Sequence, residues 1–224
     1  MFNLVKKLLI KYYENRAMNN LVENNFPKAE MYFQKVLDIN KDKPGSYYNL
    51  GIVKLSMKKF EEAEDLFKKE LQRNEDNYKV KNALADLYYI WGKKDEALKY
   101  YEEVYKIEPN EKQSKLIEKR IKHCKDDEAY EKVKESINHF EKGNKYLNEK
   151  KYEDALKEFE NAISLDKTNF FAYNNIGSIY MNYYVDYDKA LNYFEKANNI
   201  VDLPVIKQNI NRIRKYLAKN QNKK

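Results

Sequence analysis

His123, Cys124 and His139 are the only histidines and the only cysteine of the 224-residue chain, the residue types that hold soft metal ions or act as a base or nucleophile. His123 and Cys124 are adjacent, so on a helix they face different ways, and neither belongs to a pair at metal-ligand spacing. His139 sits where a large packing residue is expected, which predicts a partly buried structural role. The carboxylate pairs Glu61-Glu62 and Glu102-Glu103 fall beside turns or on outward helix faces, where solvated charge accounts for them. No GxxxxGK[ST], GxGxxG or GxSxG stretch occurs, and no nucleophile can be matched with a base. The expectation is therefore no catalytic residue, no metal and no cofactor, and a chain that is not an enzyme.

The elements that would carry any site are written in a repeat. Small residues fall at Ala17, Gly51 and Ala85 and again at Gly143 and Gly177, stepping by 34 within each group. A second small position follows at Ala29, Ala63, Ala97, Ala155 and Ala190, with an aromatic four residues later at Phe33, Phe67, Tyr101, Phe159 and Phe194. Self-similarity at this period signals a stacked array of helix pairs. In the second copy Tyr47, Leu50, Gly51 and Lys54 share one helix face, and Phe60, Ala63, Leu66 and Phe67 share another. Lys58-Lys59 makes the turn between them. The small residues are expected where the two backbones come closest, about 8–10 Å between axes.

These residues resemble the tetratricopeptide repeat family. Tyr47-x2-Leu50-Gly51, Ala63, Phe67 and Tyr173-x2-Ile176-Gly177, Ala190, Phe194 follow its pattern, and Leu84-Ala85-x2-Tyr88, Ala97, Tyr101, Pro109 adds its closing proline. The resemblance covers roughly residues 10–109 and 136–200. It implies an all-α, right-handed solenoid of about five helical hairpins plus covering and capping helices. Two departures stand out: Arg16 and Asn20 weaken the first copy, and the last holds an extra residue between Gly177 and Ala190.

Ala97 to Ala155 spans more than one period, and the surplus lies in residues 110–137. Leu116, Ile117, Ile121 and Cys124 form one apolar stripe; Ala129, Tyr130, Val133 and Ile137 form another, out of phase with it. A break at Lys125-Asp126-Asp127 fits, with Asp126 or Asp127 as N-cap. A single helix through to Glu149 stays open, since no Pro or Gly stands there to force the break. Three domains are expected: 1–124, three repeats with Glu111–Cys124 covering their open face; 125–220, two repeats with a capping helix from Pro204 to about Lys219; and a disordered basic tail, 221–224. Val205, Ile206, Ile210, Ile213 and Leu217 supply the apolar side of the cap.

Of 43 Lys+Arg and 36 Asp+Glu, seven cations and no acid lie beyond Asp202, so the first 202 residues balance. A body-wide nucleic-acid footprint is thus not expected. The lone cysteine suits a reducing compartment, no apolar run reaches membrane-spanning length, and the start is not a convincing signal peptide. A cytoplasmic protein is the simplest expectation.

By the resemblance, the first helix of each repeat lines a concave inner surface. Its exposed positions would include Glu14, Met18, Tyr48, Asn49, Ile52, Leu55, Asn82, Asp86 and Tyr89, then Asn144, Asn174, Asn175, Ser178 and Met181. Asn both donates and accepts, as the backbone of an extended peptide requires, and Tyr offers contact area at low entropy cost. The implied function is a non-catalytic scaffold holding a peptide or helix of a partner protein. The family's carboxylate clamp is matched only by Asn49 and Lys79, whereas Glu14, Met18 and Ala83 depart from it, so chaperone binding of that kind is disfavoured. The alternative is a nucleic-acid or membrane-associated factor using Arg212, Arg214, Lys215 and Lys219, together with the amphipathic start (Phe2, Leu4, Val5, Leu8, Leu9 beside Lys6, Lys7, Lys11). For those cations a solvated cap face is the simpler account, and for the amphipathic start, packing onto the first repeat.

Overall fold

The computed structural model describes residues 2–23, 25–107 and 110–221, and among these there is no strand. The chain divides into two compact units, Met1–Val104 and Tyr105–Lys224. Unit one holds three antiparallel hairpins: α1 (Phe2–Val22) with α2 (Phe26–Ile39), α3 (Ser46–Ser56) with α4 (Phe60–Leu71), and α5 (Tyr78–Trp91) with α6 (Lys94–Tyr105). Unit two holds α7 (Glu111–Lys125), the hairpins α8 (Asp127–Asn148) with α9 (Tyr152–Leu165) and α10 (Phe170–Ile179) with α11 (Tyr187–Ile200), and α12 (Pro204–Gln221).

The turns repeat as faithfully as the helices. Five residues before the second small position the backbone turns left-handed, at Lys58 (φ 57°), Gly92 (φ 88°), Lys150 (φ 60°) and Val185 (φ 55°). The next amide then bonds back across the helix end, Lys59 N to Lys54 O (2.9 Å), Lys93 N to Tyr88 O (2.9 Å) and Lys151 N to Tyr146 O (2.9 Å). This closes the orphan carbonyls of the first helix. The last repeat shows where its extra residue went. Its first helix ends in a π-helical turn, Tyr180–Tyr184, and Asp186 N reaches Tyr180 O at 3.0 Å, one residue further than in the other repeats. The wide turn takes up the inserted residue before α11, the second helix of the same hairpin, begins.

The small residues are required, for a reason different from the one expected. A Cβ on Gly51 would lie 2.6 Å from Phe67 Cε1, and one on Gly143 would lie 2.6 Å from Phe159 Cε1. Gly177 meets Phe194 in the same way at 3.0 Å. Each glycine thus makes room for the flat ring of its own hairpin rather than for a neighbouring backbone. Phe67, Phe159 and Phe194 are wholly buried, as are Ala63, Ala155 and Ala190. Rings and small residues interlock, as close-packed interiors require.

A buried carboxylate ties the two ends of the second hairpin together. Glu70, on α4, is buried and accepts hydrogen bonds from the backbone amides of Gly45 (2.7 Å), Tyr47 (3.1 Å) and Tyr48 (3.4 Å). Its carboxylate caps the first turn of α3, where orphan amides and the helix dipole favour an anion. Lys54 is similarly enclosed between Glu30 (2.7 Å) and Glu62 (2.5 Å).

Three expectations need correction. The boundary at 124 moves to Val104/Tyr105, because α7 packs within unit two: Leu116 joins Phe170, Phe194, Ile206 and Ile210 in one core cluster. Lys112 Nζ also donates to Asn198 O at 2.7 Å, so α7 is secured to the end of α11. Second, the start of α1 does not pack onto the first repeat; Leu4, Val5, Leu8 and Leu9 are all exposed. Third, Gln221, expected in a disordered tail, is the last residue of α12. Pro109 and residues 222–224 lie outside the described residues, as does the side chain of Phe2. The question of one or two helices over 110–149 resolves as two. Asp126 is extended (φ −119°, ψ 114°), and its side chain accepts from Ala129 N at 3.0 Å as the N-cap of α8.

Candidate partner-binding surface

In unit one the surface is built by α3 and α5. Tyr48, Asn49, Ile52 and Leu55 are half-buried along α3, and Asn82 and Asp86 are half-buried on α5. Tyr48 leans on Phe67, with ring centroids 5.9 Å apart. Asn82 Nδ2 donates to Asp86 Oδ2 at 3.3 Å, and the hydroxyl of buried Tyr101 donates to Asp86 Oδ1 at 2.7 Å. Burial, and then the charge of Asp86, push the Tyr48 phenol above its ordinary pKa, so it stays a neutral donor and acceptor. The result is a partly hydrated strip of amide, phenol, carboxylate and aliphatic groups set into a rigid helical face. Tyr89 does not belong to it: only 3% exposed, it packs edge-on against Tyr101 with centroids 5.9 Å apart. Its phase on α5, one residue past Tyr88, turns it toward the hairpin partner α6.

Glu14 and Met18 of α1 were expected on the same surface. Glu14 pairs with Lys43 at 2.6 Å, and Met18 is exposed. Ala83 is buried, while Lys79 is exposed and Asn49 half-buried.

In unit two the surface comes from α8 and α10. Asn175 Nδ2 donates to Asn144 Oδ1 at 2.9 Å, which links neighbouring first helices through an amide pair. Ser178 Oγ donates to Asn174 O at 2.9 Å, and Asn174 Oδ1 is a buried acceptor without a partner. Met181 lies in the π turn and packs against the cluster formed by α11 and α12. Asn144, Asn174, Asn175 and Ser178 thus gather on one face, with Met181 at its edge.

Arg212, Arg214, Lys215 and Lys219 are exposed on α12. Arg214 is held by Glu195 at 2.7 Å, across from α11. His139 Nδ1 lies 2.5 Å from Glu158 and is half-buried, so its contact is a local one. Cys124 is buried and reduced, and His123, partly buried, has its pKa lowered first by that burial. Among the described residues no group of three or more His, Cys, Asp or Glu could hold a metal ion. No helix among them is long and apolar enough to cross a membrane.

Two features escaped the sequence reading. Phe60 stacks on Trp91 of the following repeat (5.5 Å), and Tyr152 stacks on Tyr183 in the same relation (3.7 Å). The signal was present, since both second members stand six residues after the first small position of their repeat. The second feature is a cavity of about 350 Å³ between α11 and α12, lined among others by Glu195, Asn198, Lys207 and Arg214. Nothing in the apolar periodicity marks it.

Comparison with known proteins agrees with this architecture. Residues 46–109 match the family described as Tetratricopeptide repeat, and residues 143–182 match TPR repeat. Protein STIP1 homolog of Dictyostelium discoideum is 26% identical over 150 residues, which is 63% of this chain and 27% of that protein. The chain therefore spans about a quarter of the length of that relative. Among solved structures, YrrB, described as a TPR protein with an unusual peptide-binding site, is 21% identical, with 87% of each chain covered and a TM-score of 0.43. The TPR domain of P58(IPK) is 17% identical over 92% of this chain and 64% of that one, with a TM-score of 0.47. Residues 46–109 and 143–182 are thus tetratricopeptide repeat segments, and the 34-residue spacing continues the same pattern of small residues outside them.

Proposed function

We propose that this protein is a non-catalytic scaffold that holds a peptide or helix of a partner protein against the first helices of its repeats. The coarser statement, a protein-interaction scaffold, follows from the repeats themselves. The observation that carries the finer one is that each unit bears half-buried Asn side chains on its first helices, Asn49 and Asn82 in unit one and Asn144, Asn174 and Asn175 in unit two. An amide on a rigid helix matches a peptide backbone without adding charge, and the neighbouring Tyr48, Ile52, Leu55 and Met181 supply apolar contact. Carboxylate-clamp binding is disfavoured, because Glu14 brings a negative charge already met by Lys43, and buried Ala83 stands where a cation would be needed. A reducing, cytoplasmic setting fits the single buried thiol.

Nucleic-acid binding through α12 takes second place, since Arg214 is already engaged by Glu195. The test is selection of peptides from a random display library on the full chain. Asn49→Ala and Asn82→Ala should each weaken peptides held by unit one, and Asn175→Ala those held by unit two, about tenfold with the melting temperature unchanged. Selected peptides that bind all three variants as tightly as the parent would remove the first-helix face from the reading.

A further inference from the structure

The start of α1 extends past the hairpin to which it belongs. Helix α1 has 21 residues and its partner α2 has 14, so at about 1.5 Å per residue roughly 10 Å of α1 stands beyond the pair. Among its described side chains the first buried one is Ile10. Before it, apolar groups face outward: Leu4 is 62% exposed, Val5 50%, Leu8 60% and Leu9 40%, with Tyr12 (53%) continuing the line. Leu4, Leu8 and Tyr12 succeed each other at four-residue steps, with Val5 and Leu9 beside them, so these five side chains make one continuous stripe. Contiguous apolar groups left this exposed mark an interaction surface more than an ordinary solvated helix face.

The charges around the stripe select its occupant. Lys6, Lys7 and Lys11 are the only charged residues among the first 13; the first acid is Glu14, paired with Lys43. Lys7 and Lys11, each three residues after a stripe leucine, border the stripe along one side. If two copies of the chain joined through this stripe, Lys7 and Lys11 of each would be brought toward those of the other, like charge against like charge. A surface of anionic lipid headgroups meets the same lysines with opposite charge while the acyl region takes up the leucines. Tyr12 at the end of the stripe has the amphipathic ring that rests at the headgroup level.

We infer that the projecting first turns of α1 form an interfacial anchor that lays unit one on an anionic lipid surface. The anchor uses none of the amide strip on α3 and α5, so it is independent of peptide binding.

The test is co-sedimentation of the full chain with vesicles of phosphatidylcholine alone and of phosphatidylcholine with phosphatidylserine. The parent should bind the mixed vesicles and not the neutral ones, and binding should weaken as salt rises. Leu4→Glu/Leu8→Glu should lower binding at least about tenfold, because it charges the inserting face. Its melting curve should match the parent's, since both side chains are already in water; Leu4→Asn/Leu8→Asn repeats the test without added charge. Lys7→Glu/Lys11→Glu should lower binding and abolish the preference for the anionic lipid. Arg212→Glu/Lys215→Glu, on α12, should bind as the parent does. The inference is overturned by a parent that binds neither vesicle, by binding that survives all three α1 double substitutions, by binding lost through α12 alone, or by a dimer in solution that Leu8→Glu dissociates.

Discussion

Replacing Gly51 by Ala sets two effects of known sign against each other. In an isolated helix the change is favourable by about 1 kcal/mol, since glycine carries the greater entropy cost. In this helix the new methyl would sit 2.6 Å from Phe67 Cε1, 2.8 Å from Cδ1 and 3.1 Å from Cζ. Ordinary carbon contacts lie at about 3.5–4.0 Å, so the ring must retreat by about 1 Å. Phe67 is wholly buried and leans on Tyr48, which leaves it little room to yield. Overpacking of this kind costs about 1–3 kcal/mol. The balance is a loss of about 0–2 kcal/mol where propensity alone foretells a gain. Gly143→Ala should behave alike, with Phe159 Cε1 at 2.6 Å, while Gly177→Ala, at 3.0 Å from Phe194, should be nearer neutral. Urea unfolding of the three variants gives the ranking. A cycle with Phe67→Leu isolates the clash, which should appear as a coupling of about 1 kcal/mol or more between positions 51 and 67. A Gly51→Ala protein stabilised by the full propensity gain, with no coupling in the cycle, would refute the interlocking of glycine and ring.

Other perturbations test other parts of the same account. Val185 is β-branched and left-handed (φ 55°), a conformation that costs about 1–2 kcal/mol for a non-glycine residue. Val185→Gly should therefore raise stability by about 1 kcal/mol after glycine's own entropy cost, and a lower melting temperature would contradict the strain. Glu70→Ala leaves three amides at the start of α3 without their carboxylate and should cost about 1.5–3 kcal/mol in denaturant unfolding; a loss under a few tenths would mean that water caps that turn as well. Burial lowers the pKa of His123, opposed by the charge of Asp166. The unfolded chain therefore takes up the proton first, so the stability held above the ordinary histidine value of about 6.5 declines as pH falls through it toward the lower folded value. Urea midpoints between about pH 7.5 and about pH 5 should show this decline, and His123→Gln should lessen it. An identical pH slope in the variant would exclude His123 as the source.

The repeat was legible because its signals are local and recur. Ala63, Phe67 and Gly51 stand at fixed distances that a helix hairpin imposes, so each copy states the same geometry. The extra residue of the last repeat was visible as a count; that a π turn takes it up depends on hydrogen bonds to Tyr180 O, which no spacing reveals. Within the candidate surface Asn49, Asn82 and Asn175 are half-buried, whereas Ser46 and Ser136, polar residues of first helices too, are buried, so polarity alone does not fix the face. Tyr89 was misjudged, since Tyr suits a wet strip and a buried ring contact equally well and only the placement of Tyr101 decides between them. Glu70 went unnoticed for the converse reason. A glutamate in a charged helix reads as solvated until the amides of Gly45, Tyr47 and Tyr48 are seen to surround it.

The amino-acid order by itself determined the helices, their pairing and the register of small residues against rings, all set by contacts within one 34-residue unit. Tertiary structure alone decided the division of the chain and the fate of its first turns. Helix α7 has an apolar stripe that could serve either neighbour. It belongs to unit two because Leu116 and Lys112 find Phe194 and Asn198 there. Leu4 and Leu8 have the sequence of a packed helix and stand in water, because α2 ends before it can reach them. Periodicity tells a side chain which way to face; whether anything waits on that side is a property of the assembled fold.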